Sequence, residues 1–167
     1  MLGAPLSHRR HGGFTLIEAM ITLVVIGILT SLAYASYQDQ MRKARRADAT
    51  TIVLELGSRL EKYYNACGSY TANIDKPLPG NCDTPAAIGL GLTGTESAAR
   101  YYQLAVTDLN PADGATNTIG AGFRVAATPV AGRLQKDDGF FVLTSDGRRQ
   151  FDANKNGTIE ANENQWP

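Results

Sequence analysis

Apolar residues follow two different patterns along the first part of this chain. From Ala19 to Tyr37 there are nineteen residues without a charge or a proline, close to the roughly 20 that a helix needs to span a bilayer. From Gln38 to Asn65 there is no proline, and apolar residues recur at helical spacing among charged ones, at Ile52, Leu56, Leu60 and Tyr63 or Tyr64. We therefore expect one helix from Phe14 to about Asn65, about 78 Å long, that ends near Cys67-Gly68.

The pattern changes after Gly68. Ser69 to Gly94 is rich in Gly, Pro, Asn and Thr and predicts a connecting loop. Four later runs are rich in β-formers or alternate with period 2: Tyr101–Thr107, Phe123–Thr128, Phe140–Thr144 and Arg148–Phe151. Asn110–Gly114 predicts a turn between two of them, and Ser145-Asp146-Gly147 predicts a tight hairpin. Because antiparallel strands would cover the amphipathic half of the helix, the sequence predicts an α+β fold.

The residues before the apolar run form a short basic leader. His8, Arg9, Arg10 and His11 precede Gly12-Gly13-Phe14, and the only long apolar run follows the Gly13–Phe14 bond. A usual secretory signal peptide instead carries its apolar region before the cleavage site and loses it. Glu18 is the only charge in the apolar run, and an unpaired carboxylate there costs about 3 kcal/mol on insertion scales. Glu18 is therefore a candidate functional residue.

Gly13-Phe14-Thr15-Leu16-Ile17-Glu18, with its short basic leader, resembles the cleavage signal of type IV pilins, in particular the type IVa prepilins. The Tyr-Tyr and Gly-Ser-Tyr motifs between Tyr63 and Tyr70, and the final hairpin, are similar to those of PilE-like minor pilins. The resemblance implies the type IV pilin fold, with a leader at 1–13, a membrane and filament-core helix at 14–37, and a head at 38–167. One difference is that many of these pilins have proline where this chain has Ala35.

The resemblance also implies how the chain is processed and assembled. A prepilin peptidase would cut after Gly13 and methylate the new N-terminus at Phe14. The chain would begin as an inner-membrane precursor with its head in the periplasm, surrounded by lipid. The inner-membrane assembly machinery would then place it among other pilin subunits in an extracellular pilus used for adhesion, twitching motility or DNA uptake. There the Glu18 carboxylate would meet the Phe14 amine of a neighbouring subunit, and such a charge pair would fix the register of the filament.

Two alternatives to a pilus subunit stay open: a pseudopilin of a type II secretion system and a DNA-binding competence pilin. The second depends on a basic cluster, Arg42-Lys43-Arg45-Arg46, that would contact phosphate. Such a run is more often a solvated helix face or a partner for acids on adjacent subunits, so DNA is the less favoured partner. Without Arg9 and Arg10 the chain has fourteen basic and sixteen acidic residues, which excludes a general polycation.

The C-terminal segment Asp152–Glu163 matches the twelve-residue EF-hand calcium loop at each diagnostic position. In this interpretation Gly157 permits the sharp turn. The calcium ligands are Asp152, Asn154, Asn156, the Thr158 carbonyl, Glu160 through water and Glu163 as the bidentate group. The flanks are a strand and a four-residue tail rather than two helices, so an Asn-rich turn without metal is the competing reading. With three acids and Lys155, we expect calcium affinity near the extracellular class, about 0.1–1 mM.

Two further residue types limit the function. Cys67 and Cys82 lie beyond the membrane segment, and in an oxidising compartment they would pair, contributing about 3 kcal/mol; the alternative is two buried thiols. Both histidines lie in the leader, so the mature chain would have none for a triad or a zinc site. No Gly-rich phosphate loop is present in the sequence. We therefore expect a protein that is not an enzyme.

Overall fold

The computed structural model describes residues 13–80, 82–83, 87–109, 118–119 and 122–167. The expected leader up to Gly12 and the expected turn at Asn110–Gly114 lie outside the described residues.

One long helix, α1, runs from Leu16 to Cys67 and contains 52 residues. It begins where the Thr15 hydroxyl accepts a hydrogen bond from the Glu18 amide at 3.3 Å, as an N-cap residue does. It ends where Gly68 takes a φ of +71°, which suits glycine, and donates its amide to the Tyr64 carbonyl at 2.7 Å. The predicted span is confirmed to within two residues at each end.

In the described part of the chain, six strands follow the helix: β1 Tyr70–Thr71, β2 Tyr102–Asp108, β3 Thr118–Ile119, β4 Phe123–Pro129, β5 Phe141–Thr144 and β6 Arg149–Phe151. Strands β2, β4, β5 and β6 form an antiparallel sheet in the order β2-β4-β5-β6, while β1 pairs with β3. The four predicted strands are confirmed to within one residue. Strands β1 and β3 were not predicted, and the expectation of a loop throughout Ser69–Gly94 was wrong at β1. Two residues are too few to produce a detectable alternation.

The core lies between the C-terminal half of α1 and the four-stranded sheet. The helix buries one stripe, at Ala49, Val53, Leu56, Gly57, Leu60 and Tyr63. Burial alternates along β2 and β4, so that every second side chain enters the core. Gly57 lies where a Cβ atom would stand 2.7 Å from a methyl carbon of Leu143. The helix approaches the sheet closely at this point because glycine leaves room for that side chain.

Residues 42–167 form one compact unit, and the residues before them form another. In the N-terminal unit, all side chains from Phe14 to Tyr37 are exposed. Among the described residues, α1 is the one helix that is long and apolar enough to cross a membrane. The helix α1 thus has an apolar half that is exposed and a second half that buries one stripe of side chains.

Candidate functional site

The start of the helix exposes the residues of the expected processing and assembly signal. Gly13 and Glu18 are exposed, and Phe14 is 80% exposed. The Thr15-x-x-Glu18 spacing is that of a capping box, and Thr15 does cap the Glu18 amide. No residue that the structure describes forms an ion pair with the Glu18 carboxylate. The carboxylate is therefore available to a group outside this chain.

A disulfide joins the end of α1 to the loop after β1. Cys67 and Cys82 are bonded, with their Cα atoms 5.5 Å apart and a sequence separation of 15. The predicted pairing is confirmed. By loop-closure entropy a crosslink of this span contributes about 3 kcal/mol. The loop is tied to the helix a second time by Arg59, whose guanidinium donates to the Leu90 carbonyl at 2.6 Å.

A buried ionic network fastens the helix to the head. Arg46 Nε donates to Asp138 at 2.8 Å, and the same carboxylate accepts from the Tyr102 hydroxyl at 2.8 Å and from the Gln135 amide at 2.6 Å. Only 2% of the Asp138 side chain is exposed. Burial raises the pKa of Asp138, but the hydrogen bonds from Arg46, Tyr102 and Gln135 outweigh it and lower the pKa to about 2. Burial and the bond to Asp138 raise the pKa of Tyr102, which therefore remains a donor.

This network corrects the expectation for the basic cluster. Two of its four residues contact side chains of the same chain. They neither form a solvated helix face nor remain free to pair with acidic residues of adjacent subunits. Arg46 binds Asp138 and also lies 5.0 Å from the ring centre of Phe151. Arg45 stacks 4.3 Å above the ring of Tyr101. Arg42 and Lys43 remain exposed. The four charges are thus divided between packing and solvent, which reduces the cluster's capacity to bind an anion.

The expected calcium loop folds around its two end residues. Asp152 accepts hydrogen bonds from the amides of Asn156 at 3.1 Å and Gly157 at 3.0 Å. Glu163 accepts from the amide of Ala153 at 2.8 Å with one oxygen and from that of Glu160 at 3.0 Å with the other. Both side chains are buried although they are acidic, with 2% and 6% of each residue exposed. Backbone hydrogen bonds, foremost the one from Glu160, lower the pKa of Glu163.

The amide side chains of the loop also turn towards its backbone. Asn154 accepts from the Asn156 amide at 3.0 Å, and Asn156 accepts from the Thr158 amide at 2.8 Å. Gly157 has a φ of +82°, the conformation for which the motif requires glycine. In the described part of the chain, no three His, Cys, Asp or Glu side chains gather as a metal site. Any cation here would need amide and main-chain oxygens, which is the ligand type that calcium accepts.

The C-terminal tail forms a groove for which the sequence carries no local pattern. The indole nitrogen of Trp166 donates to the carbonyls of Gln150 at 2.9 Å and Val142 at 3.2 Å. The guanidinium of Arg149 lies 5.6 Å from the ring centre of Trp166. The groove has a volume of about 630 Å³ and is lined by Gly147, Arg148, Arg149, Asn164, Gln165 and Trp166. Trp166 therefore packs against β5 and β6.

Two family models match consecutive parts of the chain. The model described as "Type IV minor pilin ComP, DNA uptake sequence receptor" matches residues 35–138, and the "Prokaryotic N-terminal methylation motif" matches residues 8–34. The first match covers most of the head and more than half of the chain. The second match covers the expected cleavage signal and the apolar run.

The chain is also similar to individual pilins. It is 33% identical over 132 residues to fimbrial protein Q of Moraxella bovis, covering 79% of this chain and 76% of that protein. A fimbrial protein of Neisseria meningitidis is 36% identical over 61 residues, 36% of each chain. The type II secretion system core protein G of Dickeya chrysanthemi is 36% identical over 55 residues, 33% of this chain and 36% of that protein. The chain thus spans about a third of the length of the first relatives that it matches.

Proposed function

Since the chain belongs to the type IV pilin family, in the group of the minor pilin ComP, we propose that it is a subunit of a type IV pilus that binds DNA for uptake. The observation that carries this proposal is the match of residues 35–138 to the family of that minor pilin, described as a DNA uptake sequence receptor. The long apolar helix supports a membrane-anchored precursor and a mature chain in an extracellular filament. The role is structural and binding, without catalysis.

The N-terminal residues act in processing and assembly. Prepilin peptidase cuts between Gly13 and Phe14 and methylates the Phe14 amine. In the filament that amine contacts the Glu18 carboxylate of another subunit. The Glu18 carboxylate has no ion-pair partner among the described residues of its own chain. The exposed apolar side chains that precede Tyr37 exchange lipid for other copies of the helix. Mass spectrometry of sheared surface filaments tests this: the chain should begin at N-methyl-Phe14, and any other mature N-terminus would contradict the cleavage register.

The similarity to a secretion pseudopilin does not favour the secretion alternative. That similarity covers 55 residues, whereas the match to the ComP family includes most of the head. A deletion strain separates the alternatives. Loss of transformation with secretion intact supports DNA uptake, loss of protein secretion indicates a pseudopilin, and loss of twitching alone indicates a motility pilin.

We also propose that the loop Asp152–Glu163 binds calcium. The support is the complete twelve-position pattern together with a fold in which Gly157 has the required positive φ. Asp152 and Glu163 stand at the two ends of the loop and are buried without a cation among the described residues within ion-pair distance. Asn154, Asn156, the Thr158 carbonyl and Glu160 through water complete the ligand set. Bound calcium would neutralise the acids and hold the tail against β6.

Thermal unfolding of the full mature chain in detergent tests the calcium proposal. At a calcium concentration tenfold above Kd the free energy of unfolding rises by about 1.4 kcal/mol. We expect a melting temperature several degrees higher in millimolar calcium than in chelator, and Asp152→Asn or Glu163→Gln should remove the difference. Glu96→Gln, an exposed acid outside the loop, is the matched control. Overlapping melting curves and no heat of calcium binding would show that the loop is only a turn.

A further inference from the structure

Trp166 gives the C-terminal groove a fixed wall although it is the penultimate residue of the chain. Its indole nitrogen bonds to carbonyls of both β5 and β6, and its ring meets Phe141 edge-on with centroids 6.1 Å apart. Arg149 rests on this ring and forms no ion pair with any residue that the structure describes. The guanidinium therefore contacts an aromatic surface, while its charge has no ion-pair partner among the described residues.

Two more arginines, Arg148 and Arg124, extend the positively charged surface beyond Arg149. Arg148 lines the groove beside Arg149, and it also lines an adjoining groove that contains Arg124. Among the residues that line the two grooves, the only carboxylate is Asp146, which pairs with Arg148 at 2.8 Å. The Thr144 hydroxyl donates to the same carboxylate and lowers the pKa of Asp146. Three cations thus face one anion on a chain whose overall charge is zero.

The amide side chains of the tail add hydrogen-bonding capacity. Asn164 accepts from the Gln150 amide at 3.1 Å and donates to the Ala161 carbonyl at 2.6 Å, so its position is set. Gln165 is exposed, and its amide makes no hydrogen bond to a described residue. Planar guanidinium groups bind phosphate through paired hydrogen bonds, and amides reach sugar and base edges. A row of cations on an open, polar groove suits a repeating anion better than a single carboxylate or an apolar ligand.

From this arrangement we infer that the surface formed by Arg124, Arg148, Arg149, Gln165 and Trp166 contacts the phosphate backbone of duplex DNA. Arg148 and Arg149 bind phosphates, Trp166 positions Arg149, and Gln165 reaches towards the neighbouring sugar or base. The inference rests on the proposed DNA-binding function and locates it. The surface is formed mostly by residues after 138, which lie beyond both family matches. It also differs from the basic cluster on α1, where Arg45 and Arg46 are engaged by the head.

The chain carries its own probe for this surface, because Trp166 is its only tryptophan. The experiment uses the full mature chain in detergent micelles and a fluorescein-labelled duplex. Anisotropy of the label reports total binding, and emission excited selectively in tryptophan reports the groove. We expect both signals to saturate at the same DNA concentration. Arg148→Gln and Arg149→Gln should each weaken binding, and each should make the loss of affinity between 50 and 200 mM salt about threefold smaller, since one phosphate contact disappears.

Arg100→Gln is the matched control. Arg100 is an exposed arginine beside an acid, as Arg148 is, with 74% and 70% of the two side chains accessible, and it lies outside both grooves. This variant should bind DNA as the wild type does. If the wild type binds DNA but both groove variants keep its affinity and salt dependence, the contact surface is elsewhere and only the location is overturned. If the wild type gives no anisotropy change at low salt, the proposed DNA binding itself fails and this inference fails with it.

Discussion

The two halves of α1 belong to one continuous helix but satisfy their apolar residues in different ways. In the C-terminal half, Leu56 and Leu60 are fully buried against the sheet. In the N-terminal half, Leu23 is 69% and Leu32 is 71% exposed. The N-terminal half therefore needs lipid or other copies of the chain to cover its apolar side chains, whereas the C-terminal half packs against the sheet of the same chain. Folding and assembly are divided between two parts of a single element.

The acidic residues of the two regions differ in the same way. Asp138 accepts hydrogen bonds from Arg46, Tyr102 and Gln135 and is nearly inaccessible. Glu18 is exposed, and no ion pair with a described residue satisfies it. A carboxylate that is paired within the chain stabilises the fold, while one that is left without a partner favours a state in which another molecule supplies it. Substitutions in the two regions should therefore affect different measurements.

The largest effect on the head is expected for Arg46→Met, which leaves the buried Asp138 carboxylate without its cation. Removing one partner of a buried ion pair costs about 3–5 kcal/mol. Arg42→Met, an exposed arginine one turn earlier, should change the free energy of unfolding by less than about 0.5 kcal/mol. Denaturant unfolding of the full chain in detergent, followed by Trp166 fluorescence, measures both. Equal changes in the free energy of unfolding for the two substitutions would show that the network around Asp138 does not stabilise the packing of α1 against the rest of the head.

A matched pair of leucines compares the two halves directly. Leu56→Ala creates a cavity between α1 and the sheet and should destabilise the head by about 2–5 kcal/mol. Leu23→Ala, in the exposed half, should leave the unfolding of the head unchanged and lower the amount of chain recovered in filaments. The same fluorescence titration and quantitative blots of sheared filaments provide the two readings. A loss of head stability with Leu23→Ala would contradict the division of the helix.

The lowered pKa of Asp138 predicts a dependence of stability on pH. Because the pKa falls from 3.8 to about 2 on folding, the contribution is complete above the unfolded value and is lost as the pH drops towards 2. We expect the free energy of unfolding to fall by about 2 kcal/mol between pH 4 and pH 2 from this group. Asp138→Asn should not show this decrease in the free energy of unfolding, while the exposed control Asp146→Asn should show most of it. Identical pH profiles of the free energy of unfolding for the wild type and Asp138→Asn would refute the role of Asp138.

The smallest effect concerns two glycines in α1. At Gly27 an added Cβ has nothing within 4 Å, whereas at Gly57 it would meet Leu143 at 2.7 Å. Alanine gains about 1 kcal/mol in helix propensity, but at Gly57 the crowded side chain opposes this gain. We expect Gly57→Ala to destabilise the head by about 1 kcal/mol and Gly27→Ala to leave its unfolding unchanged. A stabilised Gly57→Ala head, measured by the same titration, would show that Leu143 moves aside freely.

The sequence was sufficient wherever the signal was local or unique. The 3.6-residue spacing of Leu56 and Leu60 identified the packed helix, and alternation or a composition rich in β-formers identified the four longer strands. Cys67 and Cys82 are the only cysteines, so exposure to an oxidising compartment was enough to predict their pairing. Strands β1 and β3 contain two residues each, which is too short for any periodicity.

Contacts between distant positions could not be predicted in this way. Arg46 and Asp138 are 92 residues apart, and nothing in a run of four basic residues shows which of them turns towards the head. Arg149 and Trp166 likewise meet only because the tail folds back along β6. The calcium loop is an intermediate case: its pattern is local and complete, but cation binding depends on ligand distances that a pattern does not fix.

The most direct test of the account is the recovery of Glu18→Ala chains in sheared filaments from a strain that contains the peptidase. The variant should insert and be processed at Gly13–Phe14, because its apolar run and the residues on both sides of the cleaved bond are unchanged. It should then be strongly depleted from filaments relative to the wild type, while Asp39→Ala, an exposed acid of the same helix beyond the apolar run, should assemble normally. Processed Glu18→Ala chains present in filaments at the wild-type amount would contradict the claim that the unpartnered half of α1 is completed by neighbouring subunits through this carboxylate.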